Sequence, residues 1–265
     1  MLILWCLLLR TMALEVGGHI NDRLWQQFWD FVFVVSSFLL AVLFGAAAGN
    51  VARGVPIDRS GTFSMAFFTD FNVRGYVGLL DWYTVSVAAC AVVLLGAHGA
   101  TYLTLKTEGP VHDRSAVLCR RLWIAAIPLI FIVSVETLFV RSNLLREGLA
   151  NPLFWLGMIV VIASVWMLVS GIRRYQEMRI FVGSNSLIIG MLATGGATIY
   201  PVMLLSTVSP EYSLRAEQAA SSANTLESAL FWWPVAFVMA ASYFVFISRR
   251  YSGKVSVRRD TQGYY

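Results

Sequence analysis

Few side chains in this sequence could do chemistry, and they are scattered. The 265 residues hold three histidines (His19, His98, His112), three cysteines (Cys6, Cys90, Cys119) and 15 acids. They form no nucleotide loop, HExxH run, nucleophile elbow or paired-carboxylate motif. The cysteines lie widely spaced in or beside apolar runs, as small core or lipid-facing residues do, not as ligands or disulfides. Two ionisable groups stand out by depth. Glu136 is the one acid well inside an apolar run, and His98 lies 8 residues before Lys106. At roughly 1.5 Å per residue that places His98 about 12 Å inside its helix end. A group at such depth relays protons, pairs with a charge, ligates a cofactor or bonds a neighbouring helix. His98 reads first as a hydrogen-bonded structural histidine, because a bis-histidine haem would need a partner and His19 and His112 both fall in connections. For Glu136 two readings stand side by side: proton relay or ion pairing inside the bundle, and snorkelling toward the interface beside Arg141. Asp30 and Asp81 open apolar runs and read as helix caps.

The elements that must position these groups are membrane helices. Hydrophobic residues make up 58% of the chain and charged ones 13%, against about 25% charged in soluble domains. A span needs about 20 mostly apolar residues. Six stretches qualify: Phe31–Ala52, Trp82–Leu105, Leu122–Val140, Gly148–Ile172, Ile180–Leu205 and Ser228–Ser248. The expected fold is an all-α, polytopic membrane helix bundle over residues 1–248, with a basic tail over 249–265. A seventh run, Leu2–Leu9, is too short to span, and no basic region precedes it as in a signal peptide. Leu2–Leu14 therefore reads as the tail of a spanning helix whose beginning is absent.

Charge sets a topology. Summed over alternate connections, Lys and Arg divide 14 to 6, and the positive-inside rule places the richer set, with the C-terminus, in the cytoplasm. The exit after residue 52 then faces outward and the connection from Lys106 to Arg121 inward. The net charge of +5 belongs to this asymmetry and not to nucleic-acid binding. The connection Ser206–Glu227 is polar enough for a short surface helix.

Two glycine-marked helix exits carry the most specific pattern. In GAAAGNVARGVPID (Gly45–Asp58), Gly45 and Gly49 have the small-xxx-small spacing that lets helices approach closely in lipid. Asn50 follows, and then Arg53, Gly54, Pro56 and Asp58 form a tight turn, because Pro bars helix and Gly permits positive φ. Arg53 is expected to pair with Asp58 across that turn or to contact a partner chain. The second exit, HGATYLTLKTEG, runs from His98 through Gly99, Lys106 and Glu108 to Gly109.

These two exits resemble subunit II of cytochrome bd-type quinol oxidases, including the cyanide-insensitive branch. The helix ending at Arg10 with Glu15, the Trp29–Asp30 pair, and SPEYSL (Ser209–Leu214) leading into SSANTL (Ser221–Leu226) are similar to that family too. The resemblance covers essentially the whole chain. It implies a nine-helix subunit, of which this sequence would lack two helices and much of a third, with the acidic proton-path residues carried there. It also implies a prokaryotic inner-membrane oxidase that oxidises quinol and reduces oxygen to water. Haems of b and d type would sit in partner subunit I, and the complex would hold a quinone. This chain would bind no cofactor itself and act as the scaffold half of a heterodimer. The competing expectation is a transporter or channel subunit with Glu136 and His98 lining its path, although no internal repeat of the kind transporters show is present.

Overall fold

The structure, a computed structural model, describes residues 1–63, 65–69, 71–73 and 77–256. Its helices in chain order are α1 (Leu2–Gly17), α2 (Arg23–Arg53), α3 (Trp82–Lys106), α4 (Pro110–Val140), α5 (Asn143–Leu149), α6 (Pro152–Arg174), α7 (Glu177–Ile199), α8 (Ala216–Ala219) and α9 (Ala223–Arg250). Among the described residues, six helices (α2, α3, α4, α6, α7 and α9) are long and apolar enough to cross a membrane. The expected all-α bundle of six spans is therefore what the chain forms.

Helix ends follow local chemistry, whereas apolar runs mark only the part of each helix that suits hydrocarbon. Asp22, not Asp30, opens α2, its side chain accepting from the Trp25 amide at 2.9 Å. Asp30 lies a quarter of the way along a helix of 31 residues, roughly 46 Å long and so longer than the hydrocarbon layer. The indole of Trp25 donates to the Val16 carbonyl at 3.1 Å, fastening that extension to α1. Asp81 caps α3 as expected, in a reciprocal box with Thr84. The fourth span begins at Pro152, not Gly148: the Asn151 side chain accepts from the Leu153 amide at 3.0 Å, and Pro152 suits a first turn. The fifth span stops at Ile199, not Leu205, because Pro201 lacks an amide proton and disfavours helix in the residue before it.

Helices α3, α4, α6 and α7 share one core, built from Ala97 and Ala100, from Cys119, Trp123 and Ala126, and from Leu168, Ile180 and Leu187. Trp123 is fully buried, and its indole donates to Thr101 Oγ1 at 2.9 Å, which also lies 3.3 Å from Cys119 Sγ. In hydrocarbon an indole N–H needs such a partner, and Thr101 supplies it from the adjacent helix. The three cysteines are free and buried. Helix α2 packs on α3 and α1 on α2, extending this core to one side. Helix α9 has no buried residue.

Short strands close each end. Here β1 (Thr107–Glu108) pairs in parallel with β4 (Val255–Ser256), and β2 (Val202–Leu204) pairs antiparallel with β3 (Leu214–Arg215). The connection over 206–227 contains the four-residue helix α8, in keeping with the surface helix expected there. Of the expected tail, α9 continues to Arg250 and residues 257–265 lie outside the described residues, as does Arg74 of the charge count.

Candidate functional site

Glycine packing positions the polar cluster at one end of the bundle. A Cβ on Gly45 would lie 2.6 Å from Ala88 Cα, and one on Gly49 would lie 3.2 Å from Thr84 Cα. Only bare backbone allows α2 and α3 this close. The last turn of α2 thereby meets the first turn of α3, and Asn50 and Arg53 face the cap residue Asp81. Asn50 Nδ2 donates to the carbonyls of Ala46 and Leu79, both at 2.9 Å. Arg53 donates through Nη2 to Asn50 Oδ1 and to the Gly78 carbonyl at 2.9 Å, and it forms an ion pair with Asp81. The Arg53 and Asp81 side chains are only 6% and 8% exposed.

The expected Arg53–Asp58 pair therefore does not form. Asp58 instead accepts from Ser60 and Thr62, with the Ser60 amide at 2.9 Å. These bonds, the Ser60 hydroxyl foremost, hold the Asp58 carboxyl below the usual carboxylate range. The competition is decided by distance along the chain: an Asx-type turn closes over two residues at no cost in long side-chain ordering. Arg53, pointing into the α2–α3 seam, answers the cap residue of the next helix.

The rest of this exit is welded to the connection after α7. Gly54 has φ +99, and a Cβ there would meet the Leu205 carbonyl oxygen at 2.8 Å. The Val55 amide donates to that same carbonyl at 2.9 Å, Thr207 N donates back to Val55 O at 3.1 Å, and Ser206 Oγ donates to Ile57 O at 2.8 Å. Pro56 sits half-buried between these bonds.

Beside this lock lies a cavity of about 770 Å³, lined among others by Arg53, Asp81, Tyr83, Glu136, Arg141 and Leu205. Tyr83 is 2% exposed and its hydroxyl lies 2.8 Å from Thr137 Oγ1 on α4, one residue past Glu136. Glu136 is half-buried, and its Oε2 has no hydrogen-bond partner.

The second glycine exit is built differently. His98 Nδ1 lies 3.0 Å from Ser184 Oγ on α7, with the ring stacked on Phe181. Gly99 and Gly109 have nothing within 4 Å of an added Cβ, and Gly109 takes φ +71 at the start of α4. Lys106 Nζ donates to the Tyr251 carbonyl at 3.4 Å, and Glu108 lies in β1 opposite Ser256. Close by, Glu177 accepts from His112 Nε2 at 2.7 Å and from Lys254 Nζ at 2.9 Å. Sequence reasoning missed this triad, because its members are separated by 65 and 77 residues. The one available signal was that all three fall on connections assigned to the same side.

His98 and Glu136 are not brought together. Tyr83, beside Glu136, is 15 residues before His98 on α3, roughly 22 Å along the helix. The three histidines differ in how far hydrogen bonds occupy their rings. His112 has both ring nitrogens engaged with carboxylates, His98 is held by Ser184, and His19 Nδ1 lies 2.6 Å from the Glu15 carbonyl. Among the described residues no three His, Cys, Asp or Glu side chains gather as a metal site would require.

Comparison with known proteins adds the family. The family model described as "Cytochrome bd terminal oxidase subunit II" matches residues 1–250. The chain is 22% identical to the "Probable cytochrome oxidase subunit 2" of Haemophilus influenzae, over 96% of this chain and 72% of that one. It is 23% identical to the "Cytochrome bd-I ubiquinol oxidase subunit 2" of Escherichia coli, over 89% and 68% of the two chains. To the "Cytochrome bd ubiquinol oxidase subunit 2" of Bacillus subtilis it is 23% identical, over 94% and 71%.

Proposed function

The chain belongs to the cytochrome bd terminal oxidase subunit II family, and from that premise we propose that it is the haem-free scaffold subunit of a membrane quinol:oxygen oxidoreductase. Membership makes it a multi-pass membrane protein and a subunit of a quinol oxidase. The finer reading is ours. The chain packs against a subunit I that carries haems of b and d type and oxidises quinol. Oxygen is reduced to water there, with protons taken from the cytoplasm. The C-terminus lies on the cytoplasmic side of a prokaryotic inner membrane, and the Arg53 end faces outward. Any quinone in the complex rests on residues of the partner or of the joint between the two chains.

The observation that carries this reading is the family match over residues 1–250. The bonding of both His112 ring nitrogens to carboxylates, which leaves that ring no free ligand atom, supports the haem-free part. The polar residues of the two exits are read as positioning groups: Asn50, Arg53 and Asp81 fix the α2–α3 joint, and His98 fixes α3 against α7.

Affinity purification of the chain from its native membranes tests the proposal. The expected product contains a second, haem-bearing polypeptide, with the visible absorption of b- and d-type haems, and consumes oxygen when given a quinol. A colourless protein that purifies alone and moves a solute across vesicles would sink it.

A further inference from the structure

We infer that the cavity at the Arg53 end seats the headgroup of an ammonium-bearing phospholipid, the ammonium on Glu136 and the phosphate on Arg53. Three buried side-chain atoms of residues that line this cavity have no hydrogen-bond partner; Arg53 Nη1 meets Asp81 in the ion pair, and the other two are of opposite kinds. Glu136 Oε2 is an acceptor and Arg53 Nε a donor. A buried polar atom left alone is costly, and one zwitterion carrying both an N–H donor and an anionic oxygen satisfies the pair together. Charge-assisted bonds at both ends would be the strong kind.

The position suits a lipid. Arg53 is the last residue of α2, Asp81 caps α3, and Glu136 lies four residues before the end of α4. That is roughly 6 Å inside the helix end, the level at which headgroup and glycerol sit. Phe139, 81% exposed, and Trp82 stand at the rim, as aromatic residues do at membrane interfaces. Val73, Val77, Val140 and Leu205 make much of the wall. A volume near 770 Å³ is many times the ~30 Å³ share of one water, so a single bridging water does not fill it. An anionic lipid matches less well. A second negative charge would meet Glu136 and Asp81, and among the described lining residues the two arginines already hold Asp81 and the Ala52 carbonyl, with Arg53 Nε left for one phosphate oxygen, short of the basic cluster that gathers acidic headgroups. The carboxylate of Glu136 selects for an N–H-bearing cation.

The test is lipid retention by the chain purified in its native assembly. The washed complex is offered equal amounts of phosphatidylethanolamine, phosphatidylcholine and phosphatidylglycerol with the same acyl chains, and retained lipids are counted by native mass spectrometry. The ethanolamine lipid should be kept about tenfold over the other two, the ratio expected from one charge-assisted hydrogen bond. Glu136→Gln should sharply reduce the preference for ethanolamine over choline, since the neutral amide oxygen accepts an ammonium N–H without charge assistance. Water-soluble glycerophosphoethanolamine should not displace the lipid at equal concentration. Equal retention of all three lipids by the unmodified complex overturns the inference. So does an undiminished preference in Glu136→Gln, or displacement by the soluble headgroup. Should Glu136→Gln fail to assemble, the three-lipid comparison on the unmodified complex decides alone.

Discussion

Arg53 answers three demands at once at the end of α2: it pairs with Asp81, donates to Asn50, and holds the Gly78 carbonyl. Asp81 is equally occupied, since its Oδ1 also caps α3 through the Thr84 amide at 2.9 Å. These two duties separate cleanly by substitution. Asn caps a helix about as well as Asp, so Asp81→Asn keeps the cap and removes only the charge. Breaking a buried pair from one side leaves an uncompensated charge and costs about 3–5 kcal/mol. Asp81→Asn should therefore lower the thermal unfolding midpoint of the purified assembly markedly, while Arg59→Gln, on an exposed residue of the same connection, should leave it unchanged. A midpoint in Asp81→Asn equal to that of the unmodified chain would show that the pair contributes nothing net.

At the scale of elements, the seam between α2 and α3 depends on two glycines, and the two marked exits differ there. Gly45 abuts Ala88 and Ala91, whereas Gly99 has open space around it. Gly45→Val should force α2 away from α3 and reduce the folded yield in membranes several-fold, by the overpacking cost of about 1–3 kcal/mol or more. Gly99→Val should be tolerated within this chain, and loss of subunit association in Gly99→Val with the chain itself folded would mark that face as covered by the partner. The number and rough placement of the spans were legible because runs of apolar residues report hydrocarbon directly, with little competition from other forces. Helix ends were less so, because α2 continues on the polar side of its apolar run to reach the cap at Asp22. The role of Asp81 was legible only in half. Its capping is a local matter of three residues, but its pairing with Arg53 crosses a connection of 28 residues whose path no periodicity announces. Opposite charges at the same end of consecutive antiparallel helices were the signal available, and the nearer carboxylate of Asp58 obscured it.

For the whole molecule, the two ends are unlike in what closes them. At the Arg53 end the connections interlock through backbone bonds of Val55 with Leu205 and Thr207 and the bond of the Ser206 hydroxyl to the Ile57 carbonyl. At the other end a two-residue strand pair is joined by charged side chains: Glu177 meets His112 and Lys254, and Lys106 donates to the Tyr251 carbonyl. The topology proposed above puts this second end, with its excess of basic residues, on the cytoplasmic side. A phosphatase active only outside the cytoplasm, fused after Tyr265, should therefore be inactive, and the same enzyme inserted at Arg59 should be active. The reverse pattern would invert the proposed topology.

The parallel pairing of Val255–Ser256 with Thr107–Glu108, with Lys254 on Glu177, has a consequence for biogenesis. Helix α9 has no buried residue to hold it against the bundle, so this clasp is what ties its far end down. A ribosome delivers residues 107–108 and 177 long before residues 254–256, and until then the first strand waits with its partner position empty. The clasp thus closes only on a chain in which α9 has been made and threaded. A membrane quality-control protease that attacks unpaired strands would find Thr107–Glu108 open on every polypeptide stalled before that point, and covered once Val255–Ser256 is in place.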